Sequence, residues 1–142
     1  ARFILCKLAE SGMTRETTVD LWKRNNNGVY IWTIEHIFPE GENIPKAWID
    51  MIADGDQKKA KETQAQCVHT FGNLTITGYN STLSNKPFRE KRDRKDSEGN
   101  YIGYRNRLNL NNDVASQDDW TALKIASRTD LLVGKMLQMF KL

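Results

Sequence analysis

The chain contains two histidines, His36 and His69, and His36 stands where hydrolytic chemistry would use it. It lies in Ile34-Glu35-His36-Ile37-Phe38-Pro39, at the end of a β-branched and aromatic run. An imidazole with an ordinary pKa of about 6.5 accepts a proton from water near neutral pH. A second cluster runs Gly72-Asn73-Leu74-Thr75-Ile76-Thr77-Gly78-Tyr79-Asn80. Hydrolysis of a phosphodiester needs a base for water, neutralisation of charge on the phosphate and leaving oxygen, and in-line geometry. His36 suits the base. The Glu35 carboxylate and the Asn80 amide oxygen are donors of the kind a hard cation such as Mg²⁺ takes. The Asn73 amide can hydrogen-bond the far nitrogen of His36 and fix its tautomer. Adjacent side chains on a strand point to opposite faces, so Glu35 and His36 share a site only if the backbone bends. Pro39 marks a break nearby.

Each assignment has a plainer alternative. A lone His after a strand is more often structural. His69, an additional candidate site residue or phosphate contact, sits at the end of a helical stretch, where a cation suits the helix dipole. Asn73 suits a turn cap and Asn80 a helix N-cap, with Asn85 in reserve as a site residue. The densest basic run is Lys86 to Lys95, and Lys86, Arg89, Lys91 and Arg92 are its candidate phosphate contacts. A charge run is usually a solvated face. This one leaves from the proposed site, where phosphates must approach. Trp22, Trp32, Trp48 and Trp120 read as core residues rather than base-stacking ones.

The elements that must position these residues follow from pattern. Residues 2 to 10 read as a short helix ended by Ser11-Gly12, and the stretch 14 to 22 is ambiguous. Asn25-Asn26-Asn27-Gly28 is a turn, and Val29 to Ile34 a strand running into Glu35-His36. Helices are expected over 45–53 and 57–68, a strand over 74–77, and a helix from Tyr79 to about Arg94, broken near Pro87. Ser97 to Asn112 looks irregular. Asp118 to Phe140 is the longest helical pattern, with Ser116 and Asp119 as its capping pair. Two strands followed by a helix can bring a residue at the end of the first strand to one at the start of the helix.

The bulk numbers are permissive. The chain has 142 residues, 39% hydrophobic and 27% charged, with a net charge of +3. This suits one domain and leaves nucleic-acid binding to charge distribution rather than total charge. No apolar run approaches the roughly 18 residues of a membrane span. Cys6 and Cys67 stand alone, which suits two free thiols in a reducing cytoplasm. Ala1-Arg2-Phe3 enters a helix pattern at once, as expected of a piece of a longer polypeptide, or of a trimmed terminus.

Taken in order, Glu35 to Pro39, Gly72 to Thr75, Asn80 to Lys91, and the late Trp120 and Arg128 resemble the C-terminal HNH domain of GmrSD-type modification-dependent restriction proteins. The resemblance covers most of the chain, including the opening helix. It implies an α+β, mainly helical fold with a ββα-metal (His-Me finger) core, here about 29–94, flanked by helices that include a C-terminal part, about 113–142. It implies a DNA endonuclease of a phage-defence system that uses Mg²⁺ or Mn²⁺. His36 is then the base, Glu35 and Asn80 the metal ligands, and Asn73 the residue that orients His36. The DNA would be double-stranded. A nucleotide-hydrolysing, modification-sensing N-terminal domain would lie outside this chain, and cutting both strands would suit a homodimer. Two departures stand out. The wider class often has Asp where Glu35 stands, and the excursion from Glu40 to Cys67 is long for such a hairpin. The alternative is an inactive module with the same fold that binds nucleic acid or regulates a partner.

Overall fold

The structure is a computed structural model and describes residues 1–15 and 18–141. Part of the ambiguous stretch 14 to 22 therefore lies outside the described residues. The chain is α+β and mainly helical. Helix α1 (Arg2–Glu10) is followed by strand β1 (Thr33–His36), then helices α2 (Lys46–Ala53) and α3 (Gln57–Cys67). Strand β2 (Leu74–Thr77), short helices α4 (Asn80–Leu83), α5 (Phe88–Asp93) and α6 (Asn112–Ala115), and the long α7 (Ala122–Phe140) complete it.

β1 and β2 pair antiparallel, with Thr33 opposite Thr77, Ile34 opposite Ile76, Glu35 opposite Thr75 and His36 opposite Leu74. The strand expected from Val29 starts later. Asn25 Oδ1 accepts the amides of Asn27 (2.9 Å) and Val29 (3.1 Å), and Gly28 takes a left-handed φ of 76°. That local turn bridges Tyr30 to Arg24 and keeps Val29 and Tyr30 away from β2. The excursion between the strands is ordered as α2 and α3. Asp56 caps α3 by accepting the amide of Lys59 at 3.0 Å.

The core divides into two apolar clusters. In one, Phe38, Trp48, Phe88 and Trp120 meet ring to ring, with Phe88 and Trp120 stacked at 5.7 Å. In the other, Leu74 and Ile76 of β2 pack with Leu5, Leu8 and Leu132. Trp48 and Trp120 are core, as expected, whereas Trp22 and Trp32 are only half-buried.

α7 grips the segment that leads into β2. The Arg128 guanidinium donates to the carbonyls of Gly72 (3.0 Å), Leu74 (2.7 Å) and Leu110 (3.0 Å) and to Asp113 (3.0 Å). Gly72 lies so close to α7 that a Cβ would stand 1.9 Å from the Ile125 carbonyl oxygen. The helix begins at Ala122, later than its apolar pattern. Its N-cap is Thr121, which accepts from the Lys124 amide, not the expected Ser116–Asp119 pair. Ser116 instead ends α6. Both cysteines are free thiols, and among the described residues no helix is long and apolar enough to cross a membrane.

Candidate active site

β1 carries His36 to the point where the strand stops, and the chain then bends through Ile37, Phe38 and Pro39. Asn73 holds this bend. Its amide oxygen accepts the Phe38 N–H (2.8 Å) and the Trp120 indole N–H (3.2 Å). Its amide nitrogen donates to the carbonyls of Phe38 and Val68, both at 3.0 Å. A side-chain amide offers two donors and two acceptor positions. All four are engaged, so Asn73 has nothing left for the His36 ring. It acts on the backbone beside His36 and beside His69 instead.

The His36 imidazole faces a cleft of about 510 Å³, walled by Pro39, Glu40 and Gly41 on one side and by Asn80, Ser81, Ser84 and Asn85 on the other. His36 Nε2 stands 3.1 Å from Nδ1 of His69, with the rings edge-on and their centroids 5.1 Å apart. Glu40 Oε2 lies 3.6 Å from the same His36 nitrogen. Burial lowers the His36 pKa from the ordinary 6.5, Glu40 opposes that, and His69 and Lys91 reinforce it. The neutral ring, which can accept a proton, is thus favoured.

The other expected site residues separate into two places. Asn80 is at the cleft. Its amide nitrogen donates to the Ile34 carbonyl (2.6 Å) and Thr33 Oγ1 (3.2 Å), which ties the start of α4 to β1. Asn85 also lines the cleft. Glu35 does not. It follows strand alternation to the opposite face and is 2% exposed. Its Oε1 accepts from Lys91 Nζ at 3.2 Å, and its Oε2 is buried without a partner among the described residues. Burial raises the Glu35 carboxyl to about 7, and the Lys91 charge works against that rise. The structure therefore does not bring Glu35 and Asn80 together.

Of the four candidate phosphate contacts, only Lys86 and Arg89 are exposed. Lys91 is wholly buried and lies out of reach of a phosphate. Arg92 is spent internally, on Asp93 (2.8 Å), on the Gln117 carbonyl (2.7 Å) and on Asp118 (3.1 Å). Phe88, Lys91 and Arg92 are spaced i, i+3, i+4 and form one face of α5, which is the inward face. That spacing was the available signal.

Glu40 is the residue sequence reasoning missed. It lies four residues after His36, just past Pro39, where the bend returns its side chain to the imidazole. Nitrogen or oxygen ligand atoms of His36, Glu40 and His69 all lie within 4.8 Å of one another. Two imidazoles and one carboxylate suit a divalent transition-metal ion that accepts imidazole better than Mg²⁺, which prefers an all-oxygen shell.

The family described as the C-terminal domain of GmrSD restriction endonucleases has a model that matches residues 1–135. No curated protein and no solved structure matches.

Proposed function

The chain belongs to the C-terminal domain family of the GmrSD restriction endonucleases, and from that premise we propose that it is the DNA-cutting domain, with His36 as general base. The observation that carries this reading is the meeting of His36, His69 and Glu40, of which His36 and Glu40 line one cleft. β1, β2 and α4 are read as a ββα-metal core, since the strands pair antiparallel and Asn80 ties α4 to β1.

The neutral His36 ring takes the proton of a water in the cleft at Nε2, which is free to accept it only once its contact with His69 Nδ1 has given way to that water. Glu40, 3.6 Å away, stabilises the imidazolium that results. His69 supplies a polar partner at Nδ1 that limits rotation of the ring. A divalent ion, when bound, neutralises charge on the phosphate and the leaving oxygen. Glu40 and His69 fit that ion by donor chemistry, with Asn80 on the facing wall, while His36 Nε2 stays with water. One nitrogen cannot be base and ligand at once. Lys86 and Arg89 supply the salt-sensitive contact with the DNA backbone.

The test is plasmid cleavage with Mg²⁺ or Mn²⁺, wild type against His36→Ala. Equal cutting by both proteins sinks the proposal. The second reading, a module that binds DNA without cutting it, is favoured by one observation: the carboxylate next to His36 is turned inward onto Lys91. It predicts salt-sensitive binding and no nicking with any divalent ion.

A further inference from the structure

Lys91 places its amine in the protein interior, where burial lowers its pKa and Glu35 opposes that shift. Its side chain is 0% exposed, and the ammonium donates to Glu35 Oε1 (3.2 Å), the His36 carbonyl (3.0 Å) and the Ile37 carbonyl (3.0 Å). An ammonium has three N–H donors, and all three are used. Two of them hold backbone at His36 and the residue after it. The next carbonyl, Phe38, is held by Asn73. Three successive carbonyls are therefore fixed by side chains at the place where β1 ends and the imidazole turns into the cleft.

Lys91 is itself held firmly. Its amide donates to the Pro87 carbonyl at 3.0 Å, and its carbonyl accepts from the Tyr104 amide at 3.3 Å. Gly103 presses so close that a Cβ there would stand 1.8 Å from the Lys91 carbonyl oxygen. A buried ion pair seldom improves stability over a well-packed apolar pair of similar volume. What the ammonium adds here over a methionine is the direction of two carbonyls.

We propose that Lys91 is a positioning residue for His36, fixing the backbone that aims the imidazole, and that Glu35 serves as the counter-ion of Lys91 rather than as a metal ligand. The role rests on the reading of His36 as base. Displacing a reacting group by about 1 Å costs on the order of 100-fold in rate. Lys91→Met is expected to lower kcat by about 100-fold while KM for DNA stays within about twofold. Lys91→Met leaves Glu35 unpaired, so the double variant Glu35→Leu/Lys91→Met is the companion that removes both charges and keeps the volume.

Ring ¹⁵N and ¹H resonances of His36, recorded without metal, give a readout independent of cutting. In the double variant these resonances are expected to shift and broaden as the contact with His69 loosens. Unmoved resonances in a folded double variant, or kcat restored to the wild-type value, would overturn the proposal. If His36→Ala cuts as well as wild type, the base reading fails, and the ring resonances still decide the role of Lys91.

Discussion

Nδ1 of His69 approaches Nε2 of His36 to 3.1 Å, although the two residues are 33 positions apart and only one of them lies on the sheet. His69 follows the end of α3, and the Val68 carbonyl beside it is tied to Asn73, which also brackets Phe38. A single buried amide thus ties the segment that follows His36 to the segment that precedes His69.

The first consequence concerns pH. His36→Ala is expected to reduce DNA cleavage by about 100-fold or more, the usual contribution of a general base. Burial lowers the His36 pKa, so the wild-type rate is lost only as pH falls below the ordinary 6.5. His69 lowers that pKa and Glu40 raises it. His69→Ala is therefore expected to move the acid limb of the kcat/KM profile to higher pH, and Glu40→Gln to lower pH. Shifts in the same direction would contradict this arrangement.

Metal affinity separates the two glutamates. Glu40 faces the cleft and Glu35 faces Lys91. In a Mn²⁺ titration followed by electron paramagnetic resonance, Glu40→Ala is expected to weaken binding by about tenfold or more, at least the cost of losing a residue that merely supports a ligand. Glu35→Gln is expected to leave it unchanged. EDTA is expected to abolish cutting by the wild type.

Asn73 can be tested through stability. Asn73→Ala leaves the buried Phe38 and Trp120 N–H groups without their acceptor, at about 1–3 kcal/mol for each unsatisfied group. A loss of about 3 kcal/mol in urea unfolding is expected. A loss below about 1 kcal/mol would show that the bracket contributes little.

Two glycines give opposite signs. At Gly72 an added Cβ would meet the Ile125 carbonyl oxygen at 1.9 Å, and Gly72→Ala is expected to unfold or severely destabilise the protein. At Gly134, inside α7, a Cβ would meet nothing within 4 Å. Gly134→Ala is expected to stabilise by roughly 0.5–1 kcal/mol, as alanine replaces glycine in a helix. Thermal melts of the pair check both signs.

DNA binding should follow exposure rather than charge. Lys86→Ala and Arg89→Ala are each expected to reduce the slope of log K against log salt by about 1, with the melting temperature little changed. Arg92→Ala is expected to lower the melting temperature instead, because its partners are Asp93, Asp118 and the Gln117 carbonyl. Fluorescence anisotropy against salt distinguishes them.

Much of this was legible in the residues. β2 occupies Leu74–Thr77, the segment its β-branched alternation predicts, and α1 occupies Arg2–Glu10. His36 reaches a cleft that Asn80 and Asn85 share. Less legible were features set by tertiary packing. The strand near Val29 was shortened by a turn whose Asn25 side chain competes for the backbone amides. The inward turn of Glu35 follows from strand alternation, but its partner Lys91 lies 56 positions away. Glu40 and His69 come to His36 only through the bend after Phe38 and the end of α3, and neither is implied by local spacing.

The long excursion between β1 and β2 bears on how the molecule is made. A two-residue hairpin closes its strands early and locally, whereas here the pairing of Ile37 with Asn73 must wait for α2 and α3 to fall into place. Closing such a loop costs entropy before any contact repays it, and non-local pairing slows folding. The rings of His36 and His69 are separated by that same loop, so the chain cannot present an assembled cleft to DNA while it is only partly folded.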